Sequence, residues 1–156
     1  MSVPRGALLF LNGVQMTGEQ IKRRIQTRAA EARQAIAVSN KKASVVLYQW
    51  VLRNFQQEGA LAEGGWEALA PSTIAYKAEH GYSRMLQNTG ETRASFLPYS
   101  DKDIALVGSP LMKAAAHDEG TARIPQRRLL PTAEQAQELV MPIYGREMKI
   151  VTGRPL

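Results

Sequence analysis

The feature that most constrains this chain is one long amphipathic helical pattern near its N-terminus. From Thr17 to about Gln57, apolar residues recur at Ile21, Ile25, Ala29, Ala32, Ile36, Ala43, Leu47, Val51 and Phe55. The steps are mostly three or four residues, the period of an amphipathic helix and not of a strand. Thr17 stands where an N-cap belongs, and Gln20 three residues later completes a capping box. Ser39-Asn40 interrupts the apolar register and marks a bend or a break between two helices.

The same segment holds the charge. Residues 18–57 carry Lys22, Arg23, Arg24, Arg28, Arg33, Lys41, Lys42 and Arg53 against only Glu19 and Glu31, a surplus equal to the +6 of the whole chain. If the helix is continuous, about 100° per residue places Arg24, Arg28, Lys42 and Arg53 in one stripe a quarter turn from the apolar face. Such a stripe is either a solvated helix face or a contact for nucleic acid, an anionic surface or an acidic protein. Val45, Val46, Tyr48 and Leu52 lie off the main apolar line and are candidates for an apolar interface centre.

The remaining segments are short. Residues 6–11 read as a strand ending at the turn Asn12-Gly13, and residues 58–65 form the loop that ends the long helix. Pro71-Ser72-Thr73 opens a second helix running to about His80, with Gly81 as its stop. Residues 94–99 and 104–107 read as the two strands of a hairpin around Ser100–Asp103. Residues 110–117 form a helical turn. A last helix begins at Thr132-Ala133-Glu134, and Pro142 is expected to end or kink it. Met148–Val151 reads as a strand or an unpaired extension.

These elements predict an α+β fold, a long N-terminal helix packed on a small antiparallel sheet with short additional helices. A chain of 156 residues, 44% of them hydrophobic, suits one domain over 1–156, with 1–17 and 143–156 as candidate extended ends. There is no cysteine, which excludes a disulfide scaffold, thiol catalysis and cysteine-type zinc sites. The run Ala7–Leu11 is too short for a signal peptide, and no stretch reaches transmembrane length, so a soluble protein without a membrane partner is expected.

Chemistry finds little support. His80 and His117 have no local partners for acid–base work. His117-Asp118-Glu119 is rich in ligand types, but adjacent helical residues point about 100° apart and cannot converge on one ion. Asn88-Thr89-Gly90-Glu91-Thr92 has Glu91 where a phosphate-binding loop needs lysine. No serine sits in a nucleophile elbow. The expectation is no catalysis, no cofactor and no metal. Nucleic-acid binding, if any, would be electrostatic and sequence-independent, since aromatics are scattered and the basic helix is half a core element.

Three spaced blocks say more. The first is Gly64-Gly65-Trp66-Glu67-Ala68-Leu69-Ala70-Pro71-Ser72-Thr73, then Lys77. The second is Met85-Leu86-Gln87-Asn88-Thr89-Gly90-Glu91-Thr92-Arg93-Ala94-Ser95, and the third His117-x-x-Gly120 followed by Ile124-Pro125-Gln126-Arg127. Their order and spacing resemble the virion-morphogenesis, or tail-completion, family of Mu-like tailed phages. Lys113, Glu119 and Arg128-Leu129 depart from that family's pattern.

The resemblance implies a non-enzymatic structural protein acting in tail completion or head-to-tail joining. It would form a ring in the neck of the virion after assembly in the host cytoplasm. Six copies are expected by analogy with tailed-phage necks, with tail-tube or tail-terminator and head-connector proteins as partners. Trp66, Leu69, Pro71, Thr73, Lys77, Leu86, Gly90, His117, Gly120 and Pro125 would then be fold-motif residues. The three arginines Arg123, Arg127 and Arg128, held by Pro125, would be interface residues beside the helical stripe. The alternative is a basic, sequence-independent DNA-associated protein.

Overall fold

A computed structural model describes residues 8–11 and 14–153. Two strands, β1 (Leu8–Leu11) and β2 (Val14–Thr17), pair antiparallel with Leu8 opposite Thr17. The expected strand therefore gains a partner within the segment read as an extended end. The turn at Asn12-Gly13 and the strand's first residues, 6 and 7, lie outside the described residues.

Thr17 ends β2 and caps α1 (Gly18–Gln56), with both bonds of the capping box to Gln20 formed. At about 1.5 Å per residue its 39 residues span close to 60 Å, and the helix is uninterrupted. Ser39 and Asn40 do not break it; they are buried polar residues. Ser39 Oγ donates to the Ala35 carbonyl at 2.8 Å, and Asn40 Nδ2 donates to the Asp101 carbonyl at 3.0 Å. Ser39 is thus satisfied within the helix, and Asn40 is the contact point for another part of the fold.

The helix stops where Glu58 and Gly59 take φ of +50° and +89° and the Gly59 amide bonds back to the Asn54 carbonyl. A Cβ at Gly59 would lie 2.1 Å from Trp66 Cγ, so only glycine lets the indole pack there. The helix α2 (Pro71–Glu79) has proline at its first turn, where no donor is lost.

A short helix, α3 (Glu91–Ala94), precedes the expected strand and takes its first residue, because Gly90 at φ +75° turns the chain into a helical turn. The hairpin β3 (Leu97–Ser100) and β4 (Ala105–Gly108) follows, with Tyr99 opposite Leu106. Asp101 Oδ1 accepts from the Asp103 and Ile104 amides and closes its turn; these bonds hold the carboxyl below the usual range.

The last helices are α4 (Met112–Glu119) and α5 (Ala133–Thr152). Thr132 and Gln135 form a second capping box. Pro142 does not end α5, which runs through it, and Met148–Val151 form its final turns rather than a strand or an unpaired extension. Pro142 is exposed, so water can satisfy the Glu138 carbonyl whose partner it removes. The helix lies antiparallel along α1: Gln135 Nε2 reaches the Leu61 carbonyl near one end, and Arg28 reaches the Val151 carbonyl at the other.

The core is Trp50, Val51, Phe55, Phe96, Ala114 and Leu129, flanked by Tyr48, Leu61, Trp66, Leu86, Val107, Leu111, Leu130 and Leu139. It occupies only the C-terminal half of α1. There α1 packs on β3 and β4, as the α+β reading requires. Toward the N-terminus the apolar line continues past this core, and Ile25 is 63% exposed. Tyr48, expected at an outer interface, packs on the core instead.

Candidate functional site

The three sequence blocks, separated along the chain, fold around one open cleft of about 750 Å³. The first block supplies Glu67 to Ala70, Thr73 and Lys77. The second supplies Leu86 and Asn88 to Thr92, and the third His117, Ile124, Pro125 and Arg127. Arg123 and Lys113 complete the lining.

Each block is fixed from behind by the core. Trp66 meets Phe55 edge-on at 5.5 Å between ring centroids, and its Nε1 donates to the Arg128 carbonyl at 2.7 Å. Leu86 packs on the core at φ +55°, a left-handed conformation that costs a non-glycine residue about 1–2 kcal/mol. It is held there by its neighbour Gln87, whose Nε2 donates to the Phe55 carbonyl at 2.8 Å.

In the third block the Arg127 amide donates to the His117 carbonyl at 2.7 Å, and Asp118 Oδ1 accepts from the Leu129 and Leu130 amides. Gly120 passes so close to Gln126 that a Cβ would sit 3.1 Å from its backbone. The Asp118 carboxylate is therefore a loop fastener, a role that adjacency arguments about metal ligands did not foresee.

Two cations define the polar character of the cleft. Lys77 is buried on α2, where its ammonium donates to Asn88 Oδ1 and lies 5.6 Å from the Tyr82 ring centroid. Arg127 is buried as well, and its guanidinium donates to the Glu67 carbonyl at 3.0 Å and the Ala68 carbonyl at 3.3 Å. Arg127, read from sequence as an interface residue, clamps the third block to the first. Burial, then the nearby Arg127 charge, holds the His117 imidazole below its ordinary pKa, and its Nδ1 has no hydrogen-bond partner among the described residues.

The other candidates are dispersed. Arg123 and Arg128 are exposed, and Arg128 contributes its carbonyl to Asn54 and Trp66. Pro71 begins α2, and Leu69 is half-buried in the cleft wall rather than part of the core. On α1, Arg24 and Arg53 are exposed, whereas Lys42 pairs with Glu147 at 2.5 Å and Arg28 bonds the Val151 carbonyl at 2.6 Å. Two of the four stripe residues therefore join α1 to α5. Sequence reasoning passed over Asn88 and Lys113 as parts of the cleft. Their only signal was position inside or beside a block.

The sequence model of the phage virion morphogenesis family matches residues 16–149. The chain belongs to that family. The match takes in all three blocks, the last two residues of β2 and every element from α1 to α5 except the last residues of α5. Membership carries a role in phage virion assembly and association with the virion, and it points to a structural part rather than to catalysis. No curated protein and no solved structure matches the chain. No helix among the described residues is long and apolar enough to cross a membrane. For this family member, the cleft is the place where its characteristic blocks meet.

Proposed function

We propose that this protein acts in tail completion or head-to-tail joining, as a closed ring of identical copies in the neck of the virion. The observation that carries the reading is a pair of unlike apolar surfaces. On the outer face of the β3–β4 hairpin, Leu97 and Tyr99 are 63% and 53% exposed, with Leu106 and Ile104 beside them. On α1, Ile25 and Ile36 prolong the buried line beyond the core, and Val38 and Val45 are exposed on the opposite side. A ring is built from head-to-tail contacts between two different patches of each copy, and exposed apolar patches mark such contacts.

Six copies are the expected closure, with tail-tube or tail-terminator and head-connector proteins above and below. Exposed Lys22, Arg23 and Arg24 on the first turns of α1 give these neighbours an electrostatic handle. The same residues keep sequence-independent DNA contact as the second reading. A fall in DNA affinity with salt as steep as several phosphate contacts require would favour it, and no binding at low salt would remove it.

The deciding experiment deletes the gene from the phage or prophage. Filled heads separate from tails, restored to joined particles by the gene in trans, are the expected outcome. Normally joined, infectious particles would overturn the proposal.

A further inference from the structure

The cleft contains two cations that no carboxylate of the described residues pairs with. Lys77 and Arg127 are each only 5% exposed. The acceptors around them are a side-chain amide and two backbone carbonyls, all neutral. Among the described residues neither has a carboxylate within 4.0 Å. Glu91 of the cleft wall is paired with Lys113 instead. Buried charges are ordinarily paired, because desolvating a cation without an anion is expensive. An arginine cannot escape that cost by losing its proton.

The rest of the lining identifies the missing anion. Leu69, Leu86 and Ile124 bring apolar surface beside the cations. Glu67 and Glu91 also line the cleft, so its charge is not the uniformly basic track that a nucleic-acid backbone requires. None of the lining residues is Phe, Tyr or Trp, so there is no platform for stacking bases. A polypeptide alternates carboxylate and apolar side chains and matches this mixture.

We propose that the cleft binds an acidic polypeptide segment, presenting carboxylates to Lys77 and Arg127 and apolar side chains to Leu69, Leu86 and Ile124. That the segment belongs to another protein of the virion rests on the assembly role proposed above; the binding chemistry does not.

The test uses the full chain and a fluorescein-labelled synthetic peptide of alternating Asp and Leu, followed by anisotropy at low salt. Its Asn-for-Asp counterpart, oligo-dT and inorganic phosphate serve as competitors. The acidic peptide binds and raises the melting temperature, and the amide peptide does neither. Lys77→Met weakens binding by about tenfold or more, and Lys77→Arg restores it. Should Lys77→Met fail to fold, the exposed Arg123→Glu gives the same reading at the cleft edge.

No binding of the acidic peptide overturns the proposal, as does equal binding of the amide peptide or unchanged affinity in the folded variants. Tighter binding of oligo-dT, or displacement by phosphate at matched concentration, would replace it with a nucleic-acid or simple anion site. Ring formation is read separately by sedimentation of the chain alone, so a ring that ignores the peptide overturns only this inference.

Discussion

The Tyr144 hydroxyl donates to Asn40 Oδ1 at 2.5 Å, while Asn40 Nδ2 donates to the Asp101 carbonyl at 3.0 Å. One buried asparagine on α1 thus ties α5 to the β3–β4 turn, with both ends of its amide used. Burial also pushes the Tyr144 phenol above its ordinary range.

Removing one partner of a buried hydrogen bond strands the other, at about 1–3 kcal/mol. Tyr144→Phe is expected to destabilise by about 1–2 kcal/mol and Asn40→Ala by more, since two partners are then stranded. Urea denaturation of both variants checks this. Asn40→Ala no worse than Tyr144→Phe would contradict the double role.

Gly59 and Gly64 separate two effects of a side chain at positive φ. Gly64 at φ +77° faces open space, so Gly64→Ala is expected to cost about 1 kcal/mol of backbone strain. Gly59→Ala adds a collision with the Trp66 ring and is expected to cost at least about 3 kcal/mol, with loss of the native tryptophan fluorescence. Equal costs would mean that the Trp66 packing is not what requires glycine.

His117 makes stability depend on pH. Its native pKa is lowered from about 6.5 by burial and then by Arg127. Below that value the unfolded chain takes up the proton first, so the native state loses stability as pH falls from about 6.5 through the lowered native pKa. Above about 6.5 the contribution is complete. Thermal melts between neutral and mildly acid pH are expected to show this slope, and His117→Leu to flatten it. An unchanged slope in His117→Leu would assign the pH dependence to other groups.

The outer hairpin face is expected to matter for assembly and little for folding. Leu97→Lys should change monomer stability by no more than about 0.5 kcal/mol, since its side chain is mostly exposed, and Leu106→Lys, at a half-covered side chain, by about 1 kcal/mol. Sedimentation at high concentration should show the wild-type chain associating and these variants monomeric. Association that survives both substitutions would remove the hairpin from the proposed ring contact.

The local signals and the long-range outcomes divide cleanly. Both capping boxes, Thr17 with Gln20 and Thr132 with Gln135, bind groups three residues apart, so the sequence alone determined where α1 begins and, with its periodicity, where it runs. The turn chemistry of Pro71 and Ser100–Asp103 likewise placed α2 and the hairpin, and the spaced blocks indicated the family. Tertiary structure decided what local pattern cannot contain. Asn40 was legible only as an interruption, because Tyr144, 104 positions away, is what makes a buried amide favourable there. Arg127 looked like a surface arginine because its acceptors lie about 60 positions back, and they are backbone carbonyls that carry no sequence signature. Pro142 stays within α5 because the packing along α1 outweighs one missing hydrogen bond, and that packing is invisible in the residues around it. The cleft exists only because three loops are pinned to one core, so its two uncompensated cations emerge from the fold and not from any one stretch of chain.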